Sequence, residues 1–404
     1  MIVFVSSLEG DAHEVGPWHF RTFLLLLALT TPPLITLVEA KETFYKGKLV
    51  DIGTHRLHIN CAGEGSPTVI FDSGIGGFSL EWSKIQKNLI KNNLKVCSYD
   101  RAGYGWSDSG PQPRTTARIT KELKTLLIQA NITGPYLLVG HSFGGFNIRY
   151  FASEYPQLIA GLILIDSSHP QQFNTDEFKT PKLIKMKPIK NASSFHFNII
   201  QPIISNNFPK ENKRVARILM STKKSLRTLV NELENMEISA IQLAERSNHT
   251  PYGFPVMIIT RGMRVWPNDR LGNRKEQQWT KLQYDLENIS NNSAHFFARR
   301  SGHTIHLDEP KFVTDKILST VEKYRNNIIK NELRKMLAVN LTTYPIKFSM
   351  NSLLISKQNS ITGLSRRSEI EKYLPISEWS DNSSLAQQFN VKKVNISNDF
   401  LYLK

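Results

Sequence analysis

Cysteine is scarce in this sequence. The 404 residues include only 2, Cys61 in HINCAG and Cys97 in KVCSYD. Their spacing matches no zinc site, and two cysteines cannot staple a multi-disulfide scaffold. Long hydrophobic runs are also few. The uncharged stretch TFLLLLALTTPPLITLV, Thr22 to Val38, falls short of the about 20 residues a spanning helix needs. Pro32 and Pro33 interrupt it as well. Dense arginine–lysine blocks are missing, although the formal net charge is +16. Scattered positive charge favours solubility or contact with an anionic surface, and no nucleic-acid partner is expected. No metal-ligand motif or internal repeat is present, so neither metal nor cofactor is expected.

The remaining composition, 40% hydrophobic and 21% charged, is that of a globular chain. Its length suits a core of roughly 250–300 residues with insertions, or two domains. In the N-terminal segment, residues 1–40, Phe23–Leu29 followed by Val38-Glu39-Ala40 has the form of a signal-peptide core and cleavage site. The long preceding stretch with Glu9, Asp11 and Glu14 does not fit that form. A cleaved signal, an uncleaved anchor that would associate the chain with a membrane, and a structural segment therefore stand as alternatives. The first two make the protein secreted or membrane-anchored, and the third leaves it cytoplasmic.

From residue 45 the pattern alternates. LVDIGTHRLHINCAG reads as a pair of strands. PTVIFDSG, LKVCSYD, PYLLVGHS, AGLILIDSS and PVMIITRG are short apolar runs, the form of strands buried on both faces. Between them, EWSKIQKNLIKNN carries Trp82, Ile85, Leu89 and Ile90 on one helical face. RTTARITKELKTLLIQANI does the same with Ile119, Leu123, Leu126 and Leu127. Alternating strands and helices predict an α/β fold, a mostly parallel sheet flanked by helices. Residues 168–254 contain no strong strand and read as a helical cap inserted over the sheet's C-terminal edge. Residues 330–404 are polar, and the pattern yields no reading for them beyond an extra helical layer or disorder.

In YLLVGHSFGGFNIRYFA an apolar strand runs into Gly-His-Ser-Phe-Gly and then a helix. This is the nucleophile elbow: the turn is so tight that glycines must flank the serine, and the hydroxyl of Ser142 is presented above the sheet. A serine hydroxyl needs a base, and the base needs an orienting acid. In the chain order serine, acid, histidine, the base is His303 in RRSGHTIHLDEP. His306 lies beside Leu307, and His295 lies within a strand pattern. Asp166 ends the strand after the nucleophile's helix, and a right-handed crossover sets that strand beside the nucleophile strand. The loop after PVMIIT offers no carboxylate before Asp269, which stands as the alternative acid. Phe143 N–H supplies one oxyanion donor. Ile75, in DSGIGGFSLEW, sits where the second belongs.

VIFDSGIGG, YDRAGYGWSD, GPYLLVGHSFGG, GLILIDSSHP and SGHTIHLDEP follow one another with natural spacing over roughly residues 45–325. Together they resemble the serine-nucleophile, esterase- and lipase-like branch of the α/β-hydrolase superfamily. The resemblance implies an eight-stranded, mostly parallel sheet, no metal, and cleavage of esters, amides or thioesters through an acyl-enzyme. An acid after the earlier strand matches a minority variant of the family. Ser73 stands where many relatives have histidine. Asp100 and Arg101 match a structural loop, and an aspartate nucleophile for epoxide or haloalkane chemistry is missing from the elbow. The family's strand order makes Cys61 and Cys97 neighbours, so export would allow a disulfide and the cytosol would keep two thiols. The resulting expectation is a carboxylic-ester hydrolase for a small or lipid-like acyl substrate. An apolar cleft of Phe143, Ile75, Phe146 and Trp106 would select the acyl group. Acyl transfer to an alcohol and a non-catalytic receptor are the alternatives.

Overall fold

The structure, a computed structural model, describes residues 46–178, 205–246 and 251–343. The N-terminal segment and most of the C-terminal extension, both singled out above, lie outside the described residues. Eight strands form one sheet in the order β1-β2-β4-β3-β5-β6-β7-β8. They are β1 Lys48–Asp51, β2 Arg56–Ala62, β3 Thr68–Asp72, β4 Val96–Tyr99, β5 Tyr136–His141, β6 Ile159–Ile165, β7 Val256–Arg261 and β8 Ser293–Ala298. β1 pairs antiparallel with β2, and β2 with β4. The other pairings are parallel.

The apolar runs are central strands because both faces are covered. Every residue of β3, β5, β6 and β7 is buried. Successive side chains alternate between two cores, as a period of two requires. Ile70, Leu138, Leu164 and Ile258 join one core, while Val69, Phe71, Val139, Ile163 and Ile259 join the other. The first is closed by α2, Thr116–Gln129, and α3, Gly144–Glu154, through Leu123, Leu126, Ile148 and Phe151. The second is closed by α1, Ser83–Leu89, and by the last helix, through Ile85, Leu89, Val313 and Ile317. The helical faces read from the sequence are the buried ones, with Trp82, Ile85 and Leu89 fully enclosed.

Between β6 and β7 the described residues carry three α-helices: α4 Lys213–Met220, α5 Lys223–Glu234 and α6 Met236–Arg246. After β7 come α7, Arg270–Asp285, the one-turn α8, Ile305–Asp308, and α9, Pro310–Thr343. The chain to Ile329 is one compact unit, and a second begins at Lys330. The core pattern of the sequence ends near residue 325, and α9 runs on past it to Thr343. No helix among the described residues is long and apolar enough to cross a membrane.

Cys61 and Cys97 face each other across the antiparallel β2–β4 pair and are joined by a disulfide.

Candidate active site

The elbow is built by close backbone approach. Ser142 has φ 52°, left-handed for a residue with a Cβ. Its N–H donates to Ile165 O at 3.1 Å, and its carbonyl accepts from Gly145 N at 2.9 Å and Ser168 N at 3.1 Å. A Cβ on Gly140 would lie 2.6 Å from Gly144 O, and one on Gly144 2.2 Å from Asp72 O. Both glycines are therefore steric requirements of the turn.

Asp166 directly follows β6, at φ 40°, and is fully buried. Its Oδ2 accepts from His303 Nδ1 at 2.6 Å and from Arg261 Nη1 at 2.8 Å. Its Oδ1 accepts from Trp279 Nε1 at 2.9 Å and Arg261 N at 3.3 Å. Burial pushes this carboxyl up, but the Arg261 guanidinium and the His303 bond outweigh it and hold the pKa below the ordinary value. A carboxylate only accepts, so His303 Nδ1 carries the proton and Nε2 offers a lone pair. Burial lowers the His303 pKa, with the Asp166 bond opposing it, and the net direction is down.

A second histidine fixes that loop. His141, the residue before Ser142, bonds the His303 carbonyl through Nε2 at 2.8 Å. The carbonyl only accepts, so His141 is the Nε2–H tautomer. Burial, reinforced by His306 and His303, holds its pKa well below the ordinary value. His306 is a buried core residue stacked on Trp82, with centroids 4.4 Å apart. His295 bonds Glu287 and Thr260. Asp269, the alternative acid, caps α7 by accepting from Gly272 N at 2.6 Å, and so has a separate task.

Sequence reasoning overlooked the shell around Asp166. The strand end that lacked a carboxylate holds Arg261, which bridges Asp166 and Glu276, the latter through Nη2 at 2.9 Å. Glu276 Oε1 also accepts from Val265 N and Trp266 N. Arg261 lies over the rings of Trp266 and Trp279, 4.6 and 5.1 Å from their centroids. The signal was present in the sequence: an arginine ending a buried strand must find a counter-charge.

The cavity beside His303 and His141 measures about 380 Å³. Of the four residues expected to line an apolar cleft, only Ile75 does so. Phe143 and Phe146 are fully buried in a core cluster that includes Ile75, because α3 turns them inward under the elbow. Trp106 packs on His58, with centroids 4.9 Å apart. The apolar wall comes instead from Phe208, Met220, Val265, Trp266 and Leu307. Among the described residues, no backbone oxygen takes up the N–H of Ile75 or Phe143.

A family model described as alpha/beta hydrolase fold matches residues 67–217. A Gibberella zeae protein named "AB hydrolase superfamily protein" is 24% identical over 64% of this chain and 87% of its own length. A Vigna radiata epoxide hydrolase structure superposes with a TM-score of 0.54 at 15% identity, over 69% of this chain and 98% of that one, a likeness of fold alone. The chain has the α/β-hydrolase fold, and its family match lies within residues 67–217. As is usual for this fold, the elbow lies at the C-terminal end of the parallel strands, directly after β5. The chain is also 26% identical, over 72% of its length, to a Hormonema carpetanum protein named "Probable transporter efuK". It spans only 45% of that relative.

Proposed function

We propose that this α/β hydrolase cleaves carboxylic esters through an acyl-enzyme formed on Ser142. The observation that carries the reading is the Asp166-locked tautomer of His303 at the same end of the sheet as a strained serine elbow. His303 Nε2 takes the proton as Ser142 Oγ attacks the ester carbonyl, and returns it to the departing alcohol. Asp166 stays ionised and stabilises the imidazolium. Ile75 N–H and Phe143 N–H hold the oxyanion. Water, activated by the same histidine, then releases the acid. The apolar cavity wall supports a small or lipid-like acyl group. Epoxide opening in this fold would need a carboxylate at the elbow, where Ser142 stands. The Cys61–Cys97 bridge supports passage through an oxidising compartment.

A fluorophosphonate probe together with a series of p-nitrophenyl esters of increasing acyl length tests the proposal. Ser142 is expected to be the labelled residue, with turnover highest for the chain length that fills the cavity. An unlabelled Ser142 in folded protein would overturn the reading.

The charges around His303 set a pH dependence. The groups facing it are Asp166, the Arg261–Glu276 pair behind Asp166, and neutral His141. The base works unprotonated, so kcat/KM is present above its pKa and lost as pH falls through it. That pKa is depressed, so the acid limb should fall below the ordinary imidazole value of about 6.5. Arg261→Met removes a cation that disfavours the imidazolium and holds Asp166 ionised. Both consequences move the limb upward, by about one pH unit. A limb that stays in place, measured on one activated ester, would show that Arg261 does not tune the pair.

A further inference from the structure

We infer that Glu232, on helix α5 of the insertion, is a positioning residue for the oxyanion hole, acting through Arg101. The inference rests on the hydrolase reading above and adds a link between insertion and chemistry.

Arg101 is 2% exposed, and all five of its N–H groups meet acceptors. Nε and Nη2 grip Glu232 Oε1 and Oε2, each at 2.9 Å. Nη1 donates to Asp72 Oδ1 at 2.9 Å and to the Ser73 carbonyl. Nη2 also donates to the Gly74 carbonyl at 2.8 Å. The guanidinium thus holds the carbonyls of two successive peptide units in the loop after β3.

A trans peptide is planar, and its C=O and N–H point in opposite directions. Drawing the Gly74 carbonyl toward Arg101 turns the N–H of Ile75 away from it. Ile75 lines the cavity, so the peptide is set with its donor on the substrate side. The neighbouring amide is fixed too, because Gly76 N donates to Tyr104 Oη at 3.2 Å, and that hydroxyl donates to Glu232 Oε2 at 3.0 Å. Glu232 therefore braces the loop by two routes. It lies 131 residues from Arg101 in sequence, and α5 delivers it with no exposed side-chain surface.

Glu232→Gln is a usable variant because Arg101 keeps Asp72 as a counter-ion and is not left as a lone buried charge. The amide has one acceptor oxygen and cannot receive the guanidinium fork at two points. The expected result on a p-nitrophenyl ester is a fall in kcat of at least about tenfold, with KM within twofold. A trifluoromethyl ketone, which forms a tetrahedral oxyanion on serine, should bind more weakly by the same factor as kcat/KM. Tyr104→Phe, which removes the second route, should show a smaller loss of the same kind. Asn231→Ala on α5 removes the acceptor of Arg114 N and leaves the network intact. It should leave kcat unchanged. Unchanged kcat in Glu232→Gln, or an equal fall in Asn231→Ala, overturns the inference while the ester reading stands. Wild-type protein that neither turns over the ester nor reacts with the ketone overturns both.

Discussion

Ser142→Ala is expected to remove ester turnover, by a factor on the order of 10⁶ in kcat, the scale seen when a serine hydrolase loses its nucleophile. The fold should persist, because the contacts that hold this residue are made by its backbone: N–H to Ile165, carbonyl from Gly145 and Ser168. Alanine keeps the Cβ and so keeps the cost of φ 52°. Glycine does not. Ser142→Gly should be equally inactive yet more stable than Ser142→Ala by about 1 kcal/mol, the scale of strain a side chain carries in the left-handed region. Paired thermal melts and turnover assays of the two variants would therefore separate the strain of the elbow from its chemistry. Residual turnover near the wild-type level in purified Ser142→Ala would mean that another group attacks the ester.

The contrast between what the sequence disclosed and what it hid follows the range of the interactions. Ser142 and its glycines were legible because an elbow is a local event, forced by backbone crowding within a few residues. The strands were legible because continuous apolar runs such as LILI mark burial on both faces. His303 and Asp166 required one further step, the crossover rule that makes consecutive parallel strands neighbours. Beyond that, periodicity failed. It shows that Phe146 faces inward on α3, but not whether inward means cavity or core. Glu232 reads as one more charge on an amphipathic helix, and its burial against Arg101 depends on how α5 lies over the loop. The cavity wall likewise takes Phe208 and Met220 from the insertion, whose placement no local rule specifies. Arg261 was visible at the end of β7 as a missing acid. Its role emerges only once Asp166 is placed beside it.

The identity of the acid should be decided by comparing Asp166→Asn with Asp269→Asn. Asp166 receives four donors, two on each oxygen. Asparagine keeps one acceptor oxygen and presents an NH₂ on the other side. If the oxygen faces His303 and Arg261, the NH₂ opposes the N–H groups of Trp279 and of the Arg261 backbone. If it is flipped, the NH₂ meets His303 Nδ1 and drives the histidine into the tautomer with its proton on the wrong nitrogen. Each arrangement leaves buried donors unpaired, costing about 1–3 kcal/mol, so this variant should be measurably less stable while still folding. The loss of charge and tautomer together should lower kcat by about 10⁴, the size of the aspartate-to-asparagine effect in the serine-protease triad. Asp269→Asn should differ little from wild type in either measurement, since its carboxylate caps α7 through Gly272 N and asparagine caps about as well. The two proteins assayed side by side on one activated ester, with melting curves, give a clear separation. An inactive Asp269→Asn beside a near-normal Asp166→Asn would move the acid to the loop after β7. The His303–Asp166 bond would then be a structural contact only.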